Sequence, residues 1–131
     1  MRTEHLLGCI KKYCRNKVDD NTLHLIMALR VKTCKDIKKS AGRRDTREKA
    51  RMYSHVGHKP DVICIAPDFS ILPANCKLGI LLHEVGHIAT GLGNEPEADL
   101  WVKDVLGITV NYYSDLELEY INNNWVEEIC G

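Results

Sequence analysis

No apolar stretch in this 131-residue chain approaches the roughly 18 residues needed to cross a bilayer; the longest, around residues 79–82, is far shorter. Near the N-terminus only residues 6–10 are apolar between charges, with no small-residue cleavage pattern after them. No secretory leader is therefore expected, and the expected compartment is the cytoplasm. Net charge is absent: 18 Lys and Arg balance 18 Asp and Glu, which argues against an obligatory polyanion binder. Repeats and low-complexity tracts are missing, and no cysteine pair has the C-x-x-C spacing of a zinc knuckle or redox site.

What remains is ordinary globular composition, 44% hydrophobic and 27% charged, in a length that suits a single domain over residues 1–131. A chain of this size buries roughly two-thirds of its unfolded surface. Charge is unevenly placed. Residues 1–59 carry 16 basic and 6 acidic side chains, whereas residues 60–131 carry 2 and 12. Such asymmetry marks either a basic arm or two halves that attract each other in the fold. The second reading is favoured, because Asp36, Asp45 and Glu48 interrupt the basic segment and regularly interleaved aromatic rings are lacking. The six cysteines, at positions 9, 14, 34, 64, 76 and 130, are expected as buried free thiols that behave as small hydrophobes.

Apolar spacing divides the domain into an N-terminal helical and basic part (1–60), a central part (61–106) and a C-terminal helix (114–130). Residues 4–17 read as a helix with Leu6, Leu7, Ile10, Tyr13 and Cys14 on one side, and residues 21–31 continue as a second helix. Ser40-Ala41-Gly42 is a turn signal, and residues 43–56 are helix-permissive. Residues 61–66, bounded by Pro60 and Pro67, form the best strand pattern. Gly107 ends a helix, residues 108–113 suit a second short strand, and Ser114 to Glu117 is a capping box before Leu118, Ile121, Trp125 and Ile129. The fold class expected is α+β, mostly helical with a short sheet.

Residues 78–89 read LGILLHEVGHIA, which contains the pattern H-E-x-x-H as His83-Glu84-Val85-Gly86-His87. On a helix, positions i and i+4 share one face, so both imidazoles can grip one metal ion. Glu84 is rotated about 100° from His83, out of the direct coordination line yet within reach of a water on the metal, where a carboxylate serves as general base. Apolar residues surround the motif on nearly every side, as in a buried helix, and buried histidines cost several kcal/mol unless satisfied. A metal satisfies both at once.

A third protein ligand is needed to complete a catalytic site that keeps one position open. After the turn at Thr90-Gly91-Leu92-Gly93, Asn94 can cap a helix with Pro96 in its first turn. The apolar stripe of that helix is Ala98, Trp101, Val102, Val105 and Leu106. Measured from Ala98 at 100° per residue, Glu95 falls inside the buried sector, Asp99 on its margin and Glu97 outside it. Facing direction thus favours Glu95 as ligand with Asp99 orienting an imidazole from behind. The tightness of the turn keeps Glu97 and Asp99 open as alternatives.

These residues, H-E-V-G-H followed by N-E-P-E-A-D-L-W, resemble the zincin metallopeptidases of the gluzincin branch. There the third ligand is the Glu of an E-x-x-x-D/N pattern, matched by Glu95 and Asp99. The compact E-x-E-A-D-x-[FW] form is most similar to the ImmA/IrrE-like metallopeptidases, common on phages and mobile elements. The resemblance covers roughly residues 61–106. It implies a minimal zincin-like domain acting in the cytoplasm, that of a host if the chain is phage-encoded, with a strand at residues 61–66 that can pair with an extended substrate. SprT-like proteases are also similar but generally use a third histidine, and none follows His87.

The expected function is therefore zinc-dependent hydrolysis of peptide bonds in a specific protein substrate, with zinc on His83, His87 and Glu95 and Glu84 as general base. Candidates for stabilising the oxyanion are His55, His58, Tyr112 and Tyr113, of which His55 and His58 also form a potential second metal pair. Trp101 and Trp125 are read as core residues. The alternative is a metal-stabilised, non-catalytic protein that uses basic residues 32–59 to bind nucleic acid or an acidic partner, nucleic acid being the less favoured. No membrane partner is expected.

Overall fold

Glu4 in the first turn and Lys11 and Lys12 in the last suit the dipole of helix α1, Thr3–Cys14, which buries Leu6, Leu7, Ile10 and Cys14 along one face. The computed structural model describes residues 2–34, 50–54, 60–91, 94–110 and 125–131. Helix α2, Asp20–Met27, starts where the Asp19 carboxylate accepts the Thr22 backbone N–H at 2.8 Å.

The apolar segment 21–31 is not one helix. It stops at Met27, and strand β1, Arg30–Thr33, begins three residues later. Lys11 explains the break: its ammonium donates to the carbonyls of Met27 and Leu29, which binds α1 to the end of α2 and turns the chain. Partial burial there holds the Lys11 amine below its ordinary range.

Strand β3, Pro60–Ile65, is the middle of a three-stranded sheet ordered β1-β3-β2, parallel to β1 (Arg30 opposite Val62) and antiparallel to β2, Ala50–Ser54 (Met52 opposite Ile63). Two expectations change here. Within the helix-permissive segment 43–56, residues 50–54 are a strand, because pairing with a central strand outweighs a weak local helical preference. And β3 cannot accept an extended substrate as an added strand, since β1 and β2 occupy both of its edges. From Val62 onward its side chains are buried on both faces: Ile63 and Ile65 join the main core, and Val62, Cys64 and Ala66 form a second cluster with Cys34.

Cys34 and Cys64 are joined by a disulfide across β1 and β3, which corrects the expectation of six free thiols. Residue separation of 30 hid the pair; strand register brings it together, with the Cys34 N–H donating to the Ile65 carbonyl. Cys9, Cys14, Cys76 and Cys130 are free.

After a 3-10 turn at Phe69–Ile71 comes α3, Ala74–Ala89, in which every residue from Asn75 to Gly86 is buried. Helix α4, Glu95–Trp101, runs on as a π-helical turn at Val102–Leu106 and stops at Gly107, whose φ of +73° is the left-handed cap that glycine adopts without a Cβ penalty. Of the strand expected over residues 108–113, residues 108–110 form no ladder, although Ile108 is buried, and residues 111–113 lie outside the described residues. Residues 125–130 are helical and bury Val126 and Ile129. One cluster of apolar side chains joins α1, α2, β3, α3, the α4 turn and this last helix, with Trp101 and Trp125 packed partly against it. Among the described residues no helix is long and apolar enough to cross a membrane.

Candidate metal centre

Helix α3 supplies His83, 2% exposed in its side chain, and His87 one turn later at 14%. Their rings meet edge to face with centroids 4.5 Å apart. That leaves the two Nε2 atoms 3.0 Å from each other. Glu84, between them in sequence, is also buried.

Helix α4 brings the carboxylates, and its start is set locally. Asn94 is the N-cap, its side-chain oxygen accepting the Glu97 N–H at 2.9 Å, and Pro96 lies in the first turn where its missing N–H costs nothing. The helix then lies almost backbone to backbone on α3. A Cβ built on Gly86 would stand 2.4 Å from the carbonyl oxygen of Ala98, so only glycine permits this approach. Close packing at Gly86 is what delivers Glu95 and Asp99 to the histidines.

Glu95 spans both rings. Its Oε2 is 2.6 Å from His83 Nε2 and its Oε1 is 3.0 Å from His87 Nε2. Asp99 goes to the other side of His83, accepting from Nδ1 at 2.7 Å. Glu97 reaches neither histidine in any described contact; its carboxylate accepts from the Asn94 amide at 3.4 Å. Of the three acidic candidates, then, the structure gathers Glu95 at the Nε2 atoms and Asp99 behind His83. Glu95 is not in the buried sector expected from its helical angle but 57% exposed. As the first residue of α4 it hangs over the rim of the interface and reaches the rings from the solvent side. His55, His58, Tyr112 and Tyr113 lie outside the described residues, as do Ser40 to Gly42 and residues 114–124.

The donor set fits a metal ion by a proton count. With Nδ1–H of His83 donating to Asp99, its Nε2 presents a lone pair. That lone pair faces a carboxylate oxygen and a second imidazole nitrogen, and His87 Nε2 faces the same two partners. A proton on either ring satisfies one contact, and protons on both leave two N–H groups opposed at 3.0 Å. A cation at the common point satisfies all three. The three ligand atoms lie within 4.8 Å of one another, and among the described residues this is the one group of its kind. Donors about 2.0–2.1 Å from a tetrahedral zinc stand roughly 3.3 Å apart, close to the 2.6–3.0 Å seen here.

Sequence reasoning missed the Gly86–Ala98 contact, although its signal was there: a glycine inside a helix otherwise lined with large apolar residues. Compared with models of known families, with curated proteins and with solved structures, the chain gives no match.

Proposed function

We propose that the chain is a zinc-dependent metallopeptidase of the zincin type, hydrolysing peptide bonds of a specific protein substrate. The observation that carries this reading is the convergence of His83 Nε2, His87 Nε2 and the Glu95 carboxylate on one point, while Asp99 occupies the remaining nitrogen of His83. Two imidazoles and a carboxylate suit zinc, and three protein donors leave a fourth position for chemistry. A zinc ion held there would supply an acidified water, with a pKa of about 7, and a Lewis acid for the scissile carbonyl.

The protein's own residues do the rest. Asp99 holds the His83 ring in the tautomer whose Nε2 is a ligand and raises its basicity. Glu84 takes the proton of the attacking water and returns it to the leaving amine, a role its burial favours by keeping bulk water from competing. The exposed Glu95 marks the side from which a peptide substrate would approach the cage.

The test compares zinc-loaded wild type with Glu84→Gln on a degenerate peptide library, cleavage being read by mass spectrometry. Wild type cleaves, and the variant, at equal zinc content, is slower by about 100-fold or more. Equal cleavage by the two would refute the general-base role. Absence of stoichiometric zinc after loading would refute the site itself.

A further inference from the structure

The Ala98 carbonyl uses the space that a Cβ on Gly86 would fill, but Gly8 has no such use inside the molecule. It lies in the middle of α1, exposed, and a Cβ built on it would meet nothing within 4 Å. A glycine inside a helix is destabilising relative to alanine, and nothing among the described residues packs into the space it leaves. Gly8 instead lines a groove of about 730 Å³ between α1 and the helix of residues 125–130, together with Glu4, Lys12, Cys9, Tyr13 and Ile129. We infer that this face of α1 binds the same face of a second copy of the chain, antiparallel, with the two helices crossing at Gly8.

The charges select the partner and its direction. Glu4 lies four residues before Gly8 and Lys12 four after, each about 6 Å from it along the axis, and both are exposed. Positions four apart share a helix face, so the three residues form one stripe. Eight residues apart, Glu4 and Lys12 are too distant to pair within one helix, and neither has an ion-pair partner among the described residues. A two-fold axis through the crossing brings Glu4 of each copy level with Lys12 of the other, at both ends at once. The parallel arrangement sets Glu4 against Glu4 and Lys12 against Lys12, and is disfavoured. With no side chain at the crossing, the backbones approach closely enough for the second α1 to cover the apolar wall of the groove at Cys9, Tyr13 and Ile129. That burial holds the pair together, whereas the exposed ion pairs add little strength and fix the register.

Sedimentation equilibrium of the full chain over a range of concentrations tests this, with circular dichroism as the check on folding. Wild type is expected to form a dimer. Glu4→Lys and Lys12→Glu each place like charges at both contacts and should raise the dissociation constant by about 10-fold or more. An equimolar mixture of the two variants should restore wild-type dimerisation, because every contact in the mixed pair is attractive. Gly8→Leu should stay monomeric while remaining folded. Wild type that sediments as a monomer throughout overturns the inference. So does a dimer insensitive to Gly8→Leu, or a mixture of the two charge variants that associates no more tightly than either alone.

Discussion

His83 is shared between two carboxylates, and the division of labour is testable one residue at a time. Asp99, at 2.7 Å from Nδ1, orients the ring without being a ligand in the proposed cage. Asp99→Ala should therefore weaken zinc binding by about 10–100-fold, as measured by competition with a chromophoric chelator, while the far-ultraviolet circular dichroism stays unchanged. Unaltered affinity would remove Asp99 from the site. Gly86→Ala acts differently. Its added methyl meets the Ala98 carbonyl at 2.4 Å, so α4 must move and take Glu95 and Asp99 with it. We expect a loss of about 1–3 kcal/mol in urea unfolding together with a larger loss of zinc affinity than Asp99→Ala causes. A destabilised variant that still bound zinc normally would show that α4 is not held in place by this contact. Both residues illustrate what spacing conveys. Positions four apart on one helix announce the histidine pair, whereas the choice among Glu95, Glu97 and Asp99 depends on how closely two helices approach, and no single helix encodes that distance.

At the scale of the element, α4 was legible from its Asn94 cap, whereas the helix read over residues 21–31 ran past the Met27 end of α2 and missed its Asp19 cap. Asp19 starts α2 by accepting the backbone N–H of Thr22 at 2.8 Å and its hydroxyl at 3.1 Å. Those bonds, the backbone one foremost, hold the Asp19 carboxyl below its ordinary range. A carboxyl lowered on folding stabilises fully above the ordinary value of about 3.9 and loses that contribution as the pH falls through its lowered folded value. Asp19→Asn keeps the cap without titrating. Wild type and variant should thus have similar urea midpoints at neutral pH, and below about pH 4 wild type should lose stability that the variant keeps. Full exposure lets water screen the carboxylate, so the gap will be modest; parallel acid profiles would show that the cap contributes no pH dependence. The helix around His83 and the strand around Ile63 were equally readable, from a near-continuous apolar surface in one and a Pro-bounded apolar run in the other. Strands β1 and β2 were not. Arg30–Thr33 and Ala50–Ser54 have no pattern of their own that demands a strand, and they become strands through backbone pairing with β3, a partner distant in sequence. The Cys34–Cys64 bond was hidden for the same reason, since it follows from the register of β1 on β3.

Across the whole molecule, the two oppositely charged halves are interleaved in space. β1 from the basic half lies against β3 from the acidic half, and Arg30 meets Asp61 at 3.5 Å on that boundary. The pair is too exposed to matter greatly for stability. What holds the halves together is the shared apolar core, from Leu6 and Ile10 through Ile63, Leu81 and Val85 to Ile129. That core is closed without any contribution from Glu95, so the proposed zinc should fasten the first turn of α4 to a fold that already exists. By mass action, a ligand at 1,000 times its dissociation constant adds about 4 kcal/mol to the folded state. Chelation should therefore lower the unfolding midpoint, leave the far-ultraviolet circular dichroism largely intact, and remove hydrogen-exchange protection from Glu95–Trp101 before it touches Ile63 or Leu81. Complete unfolding on chelation would instead make zinc a condition of the fold. If exchange in α4 did not respond to zinc at all, the three converging donors would not be a metal cage.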